Sequence, residues 1–145
     1  MNALEKYMEN LEDKEYHKSI KFMQQTKFQA QPFRSTQCGQ TCVAMITGNS
    51  IEEVCKKMEK QYYTNLQTDL KKYLDSNGYK TLLCVGEVKI NEVPNNSIIR
   101  FNKPDETGHF ALKNEIGEIY DPAVGIVKAY LNHYTISHYL QFEKK

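Results

Sequence analysis

Residues 35–45 read STQCGQTCVAM, and this stretch decides the fold that the sequence predicts. Polar, turn-forming residues stop at Gln37, and a helical pattern of small and apolar residues begins at Cys38. A thiol in the first turn of a helix lies at the positive end of the helix dipole, beside backbone N–H groups that have no partner within the helix. Both features favour the thiolate, which is the nucleophilic form of cysteine. Cys38 is therefore the first candidate for a chemical role.

Two later segments carry residues that can work with such a thiol. Residues 108–112 read GHFAL and place His109 at the start of a predicted strand, while residues 119–122 read IYDP and place Asp121 at the end of the next strand. The ends of strands joined in a tight hairpin lie close together, so the carboxylate can orient the imidazole. A thiol, an imidazole and a carboxylate in this order are the parts of a Cys-His-Asp hydrolase.

Length and composition indicate one domain and exclude several function classes. The chain has 145 residues, 40% of them hydrophobic, which is enough for a single core. Its formal net charge is +1 with acids and bases interspersed, so it lacks the clustered basic excess of a nucleic-acid-binding surface. No window approaches the roughly 18 apolar residues of a membrane span, and the N-terminus shows no secretory signal. We expect a cytoplasmic protein, or one secreted without a cleaved N-terminal signal, that binds no nucleic acid.

Periodicity predicts helices followed by an antiparallel sheet, which makes residues 26–145 an α+β domain. Three helices are predicted, starting at Cys38, at Ser50 and at Thr64. Strands are predicted over residues 79–85, 97–101, 109–113, 118–120 and 139–142. Residues 1–25 form a separate predicted helical extension, whose narrow apolar stripe is a candidate surface for a dimer or a partner.

The remaining cysteines, Cys42, Cys55 and Cys84, are predicted to be small buried hydrophobes. Four cysteines are too few for a disulfide scaffold of this length, and the sequence has no Cys-x-x-Cys motif. A zinc site built from Cys38, Cys42 and His109 is the less favoured alternative, because cysteines four residues apart on one helix do not match the common structural-zinc spacing. No metal or other cofactor is therefore expected.

These motifs together resemble a known family. Residues 38–45 (CGQTCVAM), 108–112 (GHFAL) and 120–125 (YDPAVG) are similar to the papain-like peptidase domains that process bacteriocin leader peptides, and still more to small stand-alone bacterial and phage-type domains related to them. The resemblance implies a papain-like fold and a peptide or protein substrate. It further implies that Cys38 acts as nucleophile, His109 as general base and then acid, and Asp121 as the group that orients His109.

One position departs from the pattern of that family. The family places a Gln six residues before the nucleophile, where its amide donates to the oxyanion, but this chain has Pro32 there and Gln31 one residue earlier. A one-residue bulge would bring Gln31 into place; otherwise Gln37 or Gln29 substitutes, or the oxyanion hole lacks its amide.

Two backbone features complete the expected site. The N–H of Cys38 is expected to be the second oxyanion donor. Gly39, which follows it, is expected to let the substrate approach the backbone closely.

Three functions stay open from the sequence. The leading one is a thiol hydrolase that cleaves a peptide or isopeptide bond through a thioester intermediate. The same chemistry with a different acceptor describes deamidase and transglutaminase-type effectors on papain-like folds. The third is a non-catalytic module that binds an extended peptide in the cleft.

Overall fold

The computed structural model describes residues 26–128, 130 and 133–145. The predicted helical extension over residues 1–25, and the dimer or partner contact assigned to it, lie outside these residues. Within them the chain forms helices first and then strands, which confirms the predicted α+β class. Among the described helices, none combines the length and the apolar character needed to cross a bilayer.

Helices cover one face of the sheet. The α-helices are α1 (Cys38–Thr47), α2 (Ile51–Met58) and α3 (Lys72–Ser76). Helix α1 ends as predicted, because Gly48 adopts a left-handed conformation with φ of 76° and donates its N–H to the carbonyl of Ala44. Helix α2 begins at the predicted cap, where the Ser50 hydroxyl accepts the N–H of Glu53 at 3.1 Å. The conformation of Gly48 therefore fixes the end of α1, and the Ser50 cap fixes the start of α2.

The third helical segment starts later than the sequence predicted. Its cap is Asn65 rather than Thr64, because the Asn65 side-chain oxygen accepts the N–H groups of Gln67 and Thr68. The first turns, Leu66–Lys71, are π-helical, and α3 continues from them. The predicted apolar face is nevertheless buried, and consists of Leu66, Leu70, Tyr73 and Leu74.

Within the described ranges, six antiparallel strands form one sheet in the order β1-β6-β2-β3-β4-β5. The strands are β1 (Tyr79–Val88), β2 (Ser97–Asn102), β3 (Gly108–Lys113), β4 (Ile119–Asp121), β5 (Gly125–Val127) and β6 (Thr135–Lys144). The sequence missed β5, which at three residues is too short to show an alternating pattern. It also missed the start of β6 at Thr135, because the apolar alternation there is interrupted by Ser137 and His138.

Apolar side chains pack on both faces of the sheet. The larger core lies between the sheet and the helices and includes Val43, Val54, Leu70, Leu74, Ile98, Phe110, Leu112 and Leu140. A smaller core on the opposite face is formed by Val93, Ile99, Phe101, Ala111, Ile119 and Ile136. On β2, Ile98 therefore belongs to the larger core and Ile99 and Phe101 to the smaller one, as the pleat of a strand requires.

Gly39 has a packing role, which corrects the expectation that it opens the backbone to substrate. The residue is buried, and a Cβ at this position would lie 2.0 Å from Thr64 Oγ1, 3.2 Å from Phe110 and 3.3 Å from Leu70. Only a residue without a side chain lets these groups close on the first turn of α1. Gly39 therefore allows the helix start that carries Cys38 to approach strand β3.

Gly39→Ala is expected to lower the free energy of unfolding by about 1–3 kcal/mol, because the added methyl overpacks a buried contact. Urea unfolding followed by circular dichroism measures this loss. Thr64→Ala removes the atom nearest to the new methyl, so the double variant is expected to recover most of the stability. Equal stability of Gly39→Ala and the wild-type chain would contradict the assigned packing role.

Candidate active site

His109 and Asp121 meet at the end of the β3–β4 hairpin. Nε2 of His109 lies 2.9 and 2.8 Å from the two carboxylate oxygens of Asp121. Both residues are buried, with exposed fractions of 8% and 2%. A buried carboxylate needs several donors, and the Ala123 N–H and the Tyr130 hydroxyl supply two more, at 2.9 and 2.7 Å. Asp121 is therefore a fixed acceptor that orients the imidazole.

The Cys38 thiol is half-buried at the first residue of α1, lines the same cleft as His109, and contributes to the pKa of the imidazole. Because Nε2 faces Asp121, the ring atom left for the sulfur is Nδ1. The Gln37 side chain does not cap α1 and the first turn contains no acidic residue, so no carboxylate of that turn offsets the helix dipole at the sulfur.

His109 and Asp121 each stabilise the charged form of the other. Burial alone would lower the pKa of His109, but hydrogen bonds to Asp121 and Cys38 outweigh it and raise the pKa of the ring to about 9. Burial alone would raise the pKa of Asp121, yet the hydrogen bond and charge of His109 hold it below its ordinary value. The imidazolium and the carboxylate are thus the forms present at neutral pH.

The sulfur and the imidazole open onto a cleft of about 610 Å³. Two loops flank it, the turn at residues 32–35 and the segment at residues 103–108. Phe33 and Tyr63 stand on its rim with exposed fractions of 90% and 74%. The cleft lies within the range of about 300–1,000 Å³ that is usual for small-molecule binding pockets.

Gln31 lines this cleft together with Cys38. The intervening turn at residues 32–35, in which Arg34 has a φ of 58°, accommodates the extra residue that separates Gln31 from the family position. Gln31 Nε2 donates to the carbonyl of Ser35 at 2.8 Å and, over a longer distance of 3.4 Å, to the Ser35 hydroxyl. Its Oε1 is buried and has no partner among the described residues.

The two alternative glutamines bond elsewhere. Gln37 Nε2 donates to the carbonyl of Gln61 at 2.9 Å, and Gln29 Nε2 donates to the carbonyl of Asn49 at 3.2 Å. Neither contributes to the described lining of the cleft. Of the three candidates, Gln31 is therefore the one that lines the cleft together with Cys38.

The other cysteines stay outside the site. Cys42 is fully buried, and burial raises the pKa of its thiol well above the ordinary value. Cys55 is buried as predicted, but Cys84 is only half-buried, because β1 is an edge strand of the sheet. In the described part of the chain, no three His, Cys, Asp or Glu side chains are grouped so that they could hold a metal ion.

Tyr130 is a contact of the site that the sequence did not reveal. Its hydroxyl bonds to Asp121, and its ring packs on Phe101 with a centroid distance of 4.3 Å. The sequence showed only a tail rich in aromatic residues. No short-range pattern links a tyrosine to a carboxylate nine positions earlier, because strand β5 lies between the two residues.

Comparisons with known proteins identify the fold. No protein-family model and no curated protein sequence matches the chain. Two crystal structures are each similar over 83% of it: a double glycine motif protease from an AMS/PCAT transporter in complex with the leader peptide, and the peptidase domain of Streptococcus ComA, a bi-functional ABC transporter involved in a quorum-sensing pathway. Their TM-scores are 0.60 and 0.61, their identities 18% and 15%, and the matches cover 94% and 99% of those chains. The chain therefore has the papain-like cysteine peptidase fold, as the sequence resemblance implied.

The His109–Asp121 pair predicts a specific pH dependence. The pKa of His109 is about 9 in the folded chain, above its ordinary value of 6.5, so the stability it contributes is complete below pH 6.5 and is lost as the pH rises through 9. NMR titration of the ring is expected to give a midpoint near 9, and Asp121→Asn is expected to lower that midpoint. Asp75→Asn, which alters an exposed carboxylate bonded to Lys71 and Thr81, is the control. A wild-type midpoint at or below 6.5 would show that the pair is not ionised as described.

Proposed function

We propose that this protein is a thiol hydrolase that cleaves a peptide or isopeptide bond, with Cys38 as nucleophile and His109 as general base and acid. The observation that carries the proposal is an imidazole that is bonded to the Asp121 carboxylate and lines one cleft with a thiol at a helix start. This arrangement supplies an activated nucleophile, a proton carrier and a group that orients the carrier. The peptidase domains that share the fold support the assignment.

The first half of the reaction forms a thioester. The Cys38 sulfur attacks the carbonyl carbon of the scissile bond, and the negative charge moves to the carbonyl oxygen. The Cys38 N–H donates to this oxyanion, and the Gln31 amide does so by exchanging its longer bond to the Ser35 hydroxyl for the oxyanion. His109 Nδ1 then gives its proton to the departing amine, the carbon–nitrogen bond breaks, and the acyl group stays on sulfur.

The second half releases the acyl group. A water molecule gives a proton to the now neutral His109 and attacks the thioester carbonyl, after which the carbon–sulfur bond breaks and the carboxylic acid product leaves. The thiolate and the imidazolium are thereby restored. Throughout both steps Asp121 holds Nε2, so the ring keeps Nδ1 toward the sulfur.

The proposed substrate is a peptide bound in the cleft that Cys38 and His109 share. One structure of the same fold contains a leader peptide and belongs to a double glycine motif protease. A leader peptide with a double-glycine motif is therefore the first probe for this chain, together with an unbiased pool of peptides.

Cys38→Ala is expected to abolish cleavage of any peptide that the wild-type chain cuts, because it removes the nucleophile. Mass spectrometry of the peptide pool detects new termini, and Cys84→Ala is the control, since this half-buried thiol lies on the edge strand away from the cleft. Cleavage that persists in Cys38→Ala would contradict the proposal. A glutamine converted to glutamate, or a cross-link to an amine, in an uncut substrate would instead identify a deamidase or a transferase.

One observation favours a second candidate, a peptide-binding module without turnover. The Gln31 amide already donates to the carbonyl and to the hydroxyl of Ser35, at 2.8 and 3.4 Å, so it reaches an oxyanion only by giving up the longer bond. Such a module would bind a peptide in the same cleft and release it uncut.

Gln31→Ala is expected to lower kcat about 10²–10³-fold with little change in KM, because the amide serves the oxyanion and not the bound substrate. Gln29→Ala is the matched control, since that amide is bonded to Asn49 outside the cleft. Steady-state kinetics on a cleaved peptide separate the two effects. Unchanged kcat in Gln31→Ala would remove this residue from the oxyanion hole.

A further inference from the structure

Asp121 has a hydrogen-bond partner that a Cys-His-Asp arrangement does not require. The Tyr130 hydroxyl donates to Oδ2 at 2.7 Å, and the same oxygen lies 2.8 Å from His109 Nε2. The other oxygen, Oδ1, accepts the Ala123 N–H at 2.9 Å and lies 2.9 Å from Nε2. Each carboxylate oxygen is therefore held from two directions, and rotation of the carboxylate would break several bonds at once.

The Tyr130 hydroxyl is itself aimed by packing. Its ring packs against those of Phe101 and Tyr134, with centroid distances of 4.3 and 5.7 Å, and these two rings also contact each other at 6.3 Å. Phe101 is only 1% exposed and belongs to the core on the face of the sheet opposite the helices. Burial, and then the hydrogen bond to Asp121, raise the pKa of Tyr130 far above its ordinary value, so the phenol stays a donor toward the carboxylate.

We propose that Tyr130 is a positioning residue, which keeps the Asp121 carboxylate turned toward His109 so that the ring presents Nδ1 to Cys38. This inference rests on the proposed function and adds a fourth group to the three that the sequence identified. A hydrogen bond to the ionised form of a carboxylate stabilises that form, and a bond to a fixed ring restricts its rotation. Tyr130 acts on both the charge and the direction of Asp121 without touching the substrate.

Other titratable groups face this network from the elements packed around it. They are Cys38 and Cys42 from α1, His109 from β3, Lys103 from the loop before β3, and Tyr134 beside Tyr130. Because several groups can titrate, the test must observe the Asp121 carboxyl carbon itself.

The test compares Tyr130→Phe with Tyr134→Phe. The two variants lose the same hydroxyl from neighbouring stacked rings, but only that of Tyr130 bonds to Asp121. ¹³C NMR titration of the Asp121 carboxyl is expected to give a midpoint about one pH unit or more higher in Tyr130→Phe, because a donor to the charged form is lost. Tyr134→Phe is expected to leave the midpoint unchanged. A Tyr130→Phe midpoint equal to that of the wild-type chain would overturn the inference.

The rate of peptide cleavage at neutral pH provides a second measurement. It also tests the positioning role if Tyr130→Phe unfolds in acid, because the Asp121 titration then cannot be completed. Tyr130→Phe is expected to lower kcat about tenfold with KM unchanged, because a misdirected imidazole slows proton transfer without weakening substrate binding. Unchanged kcat in this variant would overturn the positioning role. If the wild-type chain cleaves no peptide, the proposed function fails, and the Asp121 titration then decides the role of Tyr130 by itself.

Discussion

The buried carboxylate of Asp121 is the constraint on which the site depends. Removing an ionised carboxylate from water costs several kcal/mol unless donors replace the lost hydration. Here the donors come from strand β3, from the turn after β4 and from Tyr130, so satisfying one charge brings three parts of the chain together. The adjacent carbonyl of Pro122 accepts the N–H of Gln31 at 2.9 Å, which ties the segment before α1 to the same corner. Asp121 and Pro122 thus anchor both the imidazole and the segment that carries the candidate oxyanion amide.

A second constraint brings the thiol to this anchor. Helix α1 lies on β3 at its first turn, where Gly39 has no side chain to hold Phe110 away. The helix end that points at the sheet is the positive one, and its first residue is the cysteine. The packing of Gly39 against Phe110 brings the thiol toward β3, and the ion pair with Asp121 fixes His109 on the same strand. The papain-like fold thus places the thiol and the imidazole on one cleft, and the buried carboxylate favours the charged form of the imidazole.

Short-range sequence patterns predict much of this arrangement. The ends of α1 and α2 follow from Gly48 and Ser50, whose conformational and capping preferences act within a few residues. The sequence also placed Cys38 at a helix start and His109 and Asp121 at one end of a hairpin, because each residue stands at the boundary of a predicted element. The position of Asn65 as a cap, the short strand β5 and the contact of Tyr130 with Asp121 were not predictable in this way, because each depends on packing between distant segments. The sequence did not decide whether Gln31, Gln37 or Gln29 lines the cleft, because the answer depends on the conformation of the turn at residues 32–35.

The rate at which iodoacetamide alkylates Cys38 at pH 7 tests the central claim most directly, namely that the sulfur and the imidazole act as a coupled pair. Peptide mapping reports the rate at Cys38 separately from that at the half-buried Cys84 in the same sample. The account predicts faster alkylation of Cys38 than of Cys84, and a decrease of about tenfold or more at Cys38 in a folded His109→Ala variant. An equal rate at Cys38 with and without the imidazole would contradict it.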